Sequence, residues 1–119
     1  MKRILVIEDN ETNMYLIGYI LRKNGYEVIE ARSGEEGIGL SITENPDLIL
    51  MDIQLPGIDG LEATRKIRES KAGGEIPIIA LTSYAMTGDR ERALKAGCTG
   101  YIEKPINPDT FIDEIKKYL

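Results

Sequence analysis

Five side chains in this 119-residue sequence share one setting: Glu8, Asp9, Asp52, Thr82 and Lys104 each follow a short run of apolar or strand-forming residues. Ile4-Leu5-Val6-Ile7 leads into Glu8 and Asp9, and Leu48-Ile49-Leu50-Met51 into Asp52. Pro77-Ile78-Ile79-Ala80-Leu81 leads into Thr82-Ser83, and Gly100-Tyr101-Ile102-Glu103 into Lys104. Short apolar runs bounded by turn residues read as strands, and the first three are apolar enough to be buried on both faces. If these strands lie parallel in one sheet, their carboxyl ends share one edge and the five side chains become neighbours. Histidine is absent, so any chemistry at that edge runs on carboxylates, a hydroxyl and an amine.

Three carboxylates brought together repel: two unit charges at 4 Å cost about 4 kcal/mol at an effective dielectric of 20. A bound cation relieves that cost. An all-oxygen ligand set without His or Cys selects Mg²⁺ or another hard divalent ion such as Mn²⁺. With the charge offset, Asp52 can act as a nucleophile toward phosphorus and form an aspartyl phosphate. The Thr82 hydroxyl and Lys104 ammonium suit the phosphoryl oxygens. Each residue alone has a plainer explanation. Asp52 can cap the next turn, Glu8 or Asp9 the first helix, and Thr82 a later one, while Lys104 can be a solvated charge. All five falling at strand ends favours a site.

The intervening segments supply the elements that would hold these residues. Residues 3–8 read as the first strand and Glu11 to Lys23 as a helix, with Met14, Ile17, Ile20 and Leu21 at helical spacing and Asn24-Gly25 as its stop. A half-exposed strand follows around Tyr26 and Val28. A second helix opens at Ser33 with Glu36 three residues on, and Gly37 and Gly39 make it marginal. After the Asp52 strand, a third helix spans Ile58 to Ser70 with Leu61, Thr64 and Ile67 inward, and Ala72-Gly73-Gly74 reads as a flexible connection. A charged fourth helix spans about 87–96 and stops at Gly97. A short strand covers 100–103, and a last helix over about 108–118 buries Phe111, Ile115 and Tyr118. Five strands alternating with five helices predict an α/β fold with a doubly wound, flavodoxin-like parallel sheet. The three strongest runs belong in the middle, which suits the strand order 2-1-3-4-5 and a crevice where strands 1 and 3 part.

Composition narrows the function. The length fits one domain, and 42% hydrophobic with 29% charged residues fits a globular chain. A net charge of −5 argues against a nucleic-acid surface. No apolar run approaches the roughly 20 residues of a membrane span, and the apolar stretch after Met1-Lys2-Arg3 is too short for a signal peptide. A single cysteine, Cys98, cannot pair internally, which points to the cytoplasm.

Taken together, Glu8-Asp9-Asn10, Leu50-Met51-Asp52-Ile53-Gln54-Leu55-Pro56-Gly57-Ile58-Asp59-Gly60, Ala80-Leu81-Thr82-Ser83 and Lys104-Pro105 resemble receiver domains of two-component response regulators. The likeness covers all 119 residues as one receiver domain, with no output domain expected. Asn10 to Met14 and Met86 to Arg92 add a likeness to single-domain regulators of the DivK type and to receivers of hybrid histidine kinases. The resemblance implies a phosphorylation-controlled switch, not an enzyme acting on other substrates. Asp52 would be the phosphoacceptor, served by a histidine kinase or histidine phosphotransfer protein. Asp9, Asp52 and the backbone carbonyl of Gln54 would hold Mg²⁺, with Glu8 acting mainly through water. Thr82 and Lys104 would contact the phosphoryl group, and Lys104-Pro105 would be a cis peptide. Tyr101 would be the switch aromatic, although its own sequence context reads as a core-edge aromatic. Gln54 and Tyr84 would tune phosphate lifetime, and a downstream protein would bind the face of helix 4, strand 5 and helix 5.

Two rivals come from other classes. A small Mg²⁺-dependent phosphatase using the same intermediate would want a general acid two residues after Asp52, where Gln54 cannot donate a proton to the leaving group. A flavodoxin-like nucleotide binder would want an anion loop after the first strand, where Glu8-Asp9-Asn10-Glu11 repels phosphate.

Overall fold

The computed structural model describes residues 1–70, 74–83 and 88–119. In chain order the elements are β1 (Arg3–Ile7), α1 (Glu11–Lys23), β2 (Glu27–Ala31), α2 (Gly34–Thr43), β3 (Leu48–Asp52), α3 (Gly60–Glu69), β4 (Ile78–Thr82), α4 (Asp89–Ala96), β5 (Gly100–Glu103) and α5 (Phe111–Lys116). The five strands form one parallel sheet in the order β2-β1-β3-β4-β5. The continuous apolar runs dictate that order. β3 and β4 are buried at every position, whereas β2 is half-buried and lies at an edge.

Side chains alternate between the faces and build two cores. Ile4, Val6, Leu48, Leu50, Ile79 and Leu81 pack with Met14, Ile17 and Leu21 of α1 and with Phe111 and Ile115 of α5. Leu5, Ile7, Ile49, Met51, Ile78 and Ala80 face the other way, toward Ala63 and Ile67 of α3 and Ala93 of α4. Among the described residues no helix is long and apolar enough to cross a membrane.

Helix ends follow local hydrogen bonding. Asn10 caps α1 by accepting from the Asn13 N–H at 2.9 Å, and Ser33 caps α2 by accepting from Glu36 N–H at 3.1 Å. The Glu36 carboxylate reaches back to Arg32 N–H at 2.7 Å, one residue before the cap. The third helix begins at Gly60, two residues after the expected Ile58, because Asp59 accepts from Glu62 N–H at 2.9 Å and sets the start. Its inward face is Ala63, Thr64 and Ile67, and Leu61 is only half-buried. Regular α5 begins at Phe111 instead of 108. The Asn107 side chain accepts from Asp109 N–H, and the Asn107 carbonyl takes both Thr110 and Phe111 N–H groups, so 107–110 form turns. Tyr118, expected to be buried, is half-buried beyond the end of α5.

Gly37 is explained by packing: a Cβ there would lie 2.4 Å from Ile7 Cδ1, so the glycine lets α2 approach β1. Gly39 meets nothing within 4 Å and remains a helix-weakening residue. The connection expected at Ala72-Gly73-Gly74 lies mostly outside the described residues.

Candidate functional site

The parallel register sets the strand ends level. Ile7 pairs with Met51, Asp52 with Leu81, and Thr82 with Glu103. Glu8, Asp9, Asp52, Thr82 and Lys104 therefore meet at the carboxyl edge, as their spacing predicts. The ladder continues past β3, with Ile53 N–H donating to Leu81 O at 3.0 Å, and Lys104 N–H donates to Thr82 O at 2.7 Å. Gly60 N–H donates back to Ile53 O at 2.9 Å, so α3 starts directly against the end of β3. A Cβ at Gly60 would sit 2.2 Å from the Asp52 carbonyl oxygen, and only glycine permits that approach.

Glu8 is fully buried, and Asp52 and Thr82 are 3% and 2% exposed. Lys104 spans the two acids. Its Nζ lies 2.7 Å from Glu8 Oε1 and 3.3 Å from Asp52 Oδ1, with its side chain 10% exposed. Asn10 N–H donates to Glu8 Oε2 at 3.2 Å, and Gln54 N–H donates to Asp52 Oδ1 at 3.1 Å. Burial, the Glu8 hydrogen bond and the Glu8 charge push the Asp52 carboxyl up to about 7, against a smaller pull from Lys104. Burial works against the Glu8 charge too, but its hydrogen bonds from Asp52 and Lys104 prevail and hold it below the usual carboxylate range. Of the two acids, Asp52 is therefore the one that takes up a proton more readily.

The plainer explanations now separate. Asp52 does bond the N–H two residues on, so the turn-capping role is real, but that occupies only one of its oxygens. Glu8 and Asp9 do not cap α1, since Asn10 does. Thr82 does not cap α4, whose start is Gly88. Lys104 is a half-buried ion-pair partner, not a solvated charge. Tyr101 is half-buried and packs against the core on the α3–α4 side, in keeping with a core-edge aromatic. Gln54 is exposed, and Tyr84 lies outside the described residues. The Lys104–Pro105 peptide is cis, as the resemblance implies.

A cation fits this donor set. Glu8, Asp9 and Asp52 each offer an oxygen within 4.8 Å of the others, and Asp9 is exposed, leaving room for water ligands. Octahedral Mg²⁺ holds oxygens at about 2.0–2.1 Å, so its ligand atoms stand about 3–4 Å apart, and the three carboxylates would draw together around the ion. Sequence reasoning missed the direct Glu8–Lys104 ion pair, having expected Glu8 to act mainly through water. The residues are 96 positions apart, and only the strand register puts them side by side.

Comparison with known proteins extends the match over the whole chain. Residues 4–116 match the model of the response regulator receiver domain. The chain is 48% identical over 118 residues to the polar-differentiation response regulator DivK of Brucella ovis, covering 99% of this chain and 96% of the relative. DivK of Brucella anthropi is 47% identical over the same span. Among solved structures, the receiver domain of the Pseudomonas aeruginosa sensor histidine kinase PA1611, with magnesium coordinated in its active-site cleft, superposes with a TM-score of 0.92. It is 38% identical and covers 98% of this chain and 96% of its own. The Vibrio cholerae chemotaxis protein CheY4 superposes with a TM-score of 0.95 at 26% identity, covering 100% of this chain and 99% of its own.

Proposed function

The chain belongs to the response regulator receiver domain family, and from that premise we propose that Asp52 is its phosphoacceptor. Receiver domains are signalling modules that work with histidine kinases or phosphotransfer proteins and with downstream targets. One observation carries the assignment. Asp52 is a buried carboxylate beside two other acids, with the Lys104 ammonium 3.3 Å from its Oδ1.

An Asp52 oxygen attacks the phosphorus of a partner's phosphohistidine, the P–N bond breaks, and the imidazole leaves with that electron pair. Gln54 N–H donates to Asp52 Oδ1 and so fixes the carboxylate's orientation. Lys104 and the Thr82 hydroxyl take the phosphoryl oxygens, and the backbone bond from Lys104 N–H to Thr82 O keeps those residues in step. Asp9, Asp52 and the Gln54 carbonyl would hold Mg²⁺, with Glu8 acting mainly through water, and the ion would supply positive charge for the crowded carboxylates and the incoming phosphoryl group. The same residues support the domain's own phosphorylation and dephosphorylation, with Gln54 and Tyr84 tuning the lifetime. Thr82 and Tyr101 respond to the phosphoryl group, and the face of α4, β5 and α5 presents the result to a downstream protein.

Incubation with Mg²⁺ and acetyl phosphate tests the assignment by intact mass. One phosphoryl group should appear on the native chain, and none on Asp52→Asn or in excess EDTA. Persistent labelling of the variant would overturn it.

A further inference from the structure

Helix α4 is held very differently at its two ends. Its outer face carries Arg90, Glu91, Arg92 and Lys95, and the buried side chains among those described are two alanines, Ala93 and Ala96. Two methyl groups bury little apolar area, so packing alone fixes this helix weakly. At the N-terminal end Gly88 sits in the left-handed region at φ 95° and provides no side-chain cap. At the C-terminal end the chain closes tightly. Gly97 is left-handed at φ 114°, Gly97 N–H donates to Leu94 O at 3.1 Å, and Cys98 N–H donates to Ala93 O at 3.0 Å.

Arg68, from the last turn of α3, locks that closure. Its Nε donates to Gly97 O at 2.9 Å and its guanidinium donates to Thr99 Oγ1 at 3.2 Å. Thr99 Oγ1 also accepts from Ile78 N–H, the first residue of β4, at 3.2 Å. One cation thus ties α3, the end of α4 and the start of β4 together. Its charge also complements the negative end of the α4 dipole. A Cβ at Gly97 would lie 2.8 Å from Arg68 Cγ, so the glycine makes room for the arginine stem.

Helices in a parallel sheet run against the strands, so the N-terminal end of α4 lies at the Asp52 edge and the clamped end at the opposite edge. We infer that Arg68 is the positioning residue that pins the C-terminal end of α4, making that end the pivot and the uncapped end the one that moves on phosphorylation. The second half rests on Asp52 being the phosphoacceptor; the first half does not.

Residue-resolved amide exchange by NMR tests both halves on the full chain. Without phosphorylation, Cys98 N–H should be better protected than Arg92 N–H, which bonds Gly88 O at 2.9 Å. Arg68→Met keeps much of the stem but removes every donor, and should speed Cys98 exchange by about tenfold or more. Arg92, whose local opening at the other end of the helix leaves the clamp intact, should be nearly unchanged, while Leu5 in the central sheet reports any loss of global stability. Arg68→Lys keeps a single donor group and should restore part of the protection. Equal acceleration at Cys98 and Arg92, or no acceleration at Cys98, would overturn the clamp. With Mg²⁺ and excess acetyl phosphate, and labelling measured on the same sample, Arg92 should change while Cys98 stays fixed. A labelled protein in which Cys98 changes as much as Arg92 would overturn the pivot and leave the phosphoacceptor standing. An unlabelled protein would overturn the moving end together with that assignment, and the first comparison would still decide the clamp.

Discussion

Replacing Asp52 by asparagine should stabilise the metal-free protein, and the gain should depend on pH. Burial and the Glu8 charge push the Asp52 carboxyl from its ordinary 3.8 up to about 7. The folded state therefore binds this proton more tightly than the unfolded chain. For such a group the stability present at low pH is lost as pH rises from about 4 to about 7, and it stays lost above that. At about 1.4 kcal/mol for each tenfold change in proton affinity, holding Asp52 ionised in the fold costs up to about 4 kcal/mol at pH 8. Near pH 4 the cost falls to about half a kcal/mol. An asparagine keeps the oxygen that accepts from Gln54 N–H, and its amide can donate to the neighbouring Glu8 carboxylate. Urea unfolding in EDTA at pH 8 and pH 4 measures the difference. The variant should gain several kcal/mol at pH 8 and almost nothing at pH 4. A variant less stable at pH 8, or a gain equal at both pH values, would refute the electrostatic account.

Other substitutions separate the remaining parts. Lys104→Met leaves Glu8 and Asp52 buried without their cation and should cost about 3 kcal/mol at pH 8 by urea unfolding, and less at pH 5 as protonation relieves the pair. Gly60→Ala drives a methyl into the Asp52 carbonyl and should cost about 1–3 kcal/mol, with acetyl phosphate labelling slowed in the same sample. Gly37→Ala gains about 1 kcal/mol of helix propensity but should be destabilising overall because the new methyl meets Ile7. Ile7→Val in the same chain should recover part of that loss, read as a coupling in a double-mutant cycle.

Much of this architecture is legible in the sequence because strong local signals agree. The three doubly buried runs mark the central strands, and the acids and hydroxyl at their ends, with the lysine that follows the last strand, mark the site. What escapes is set by other physics. Asp59 starts α3 through one side-chain bond, which competes with a continuous helical pattern from Ile58 and wins. Asn107 holds a turn where spacing alone continues the last helix. Gly37 looks like a weak point until Ile7 is seen beneath it, since close approach leaves no periodic signature. The Glu8–Lys104 pair needs the register, not the composition, because Asp9 carries the same charge one residue away and stays exposed.

The most direct measurement locates the phosphoryl bond itself. An aspartyl phosphate is an acyl phosphate, and borohydride reduces it to the alcohol of homoserine while leaving free carboxylates intact. Phosphorylated protein, reduced and digested, should carry homoserine at position 52 and nowhere else by peptide sequencing. Homoserine at position 9 or 59 in place of 52, or label that survives without any homoserine, would contradict Asp52 as the phosphoacceptor.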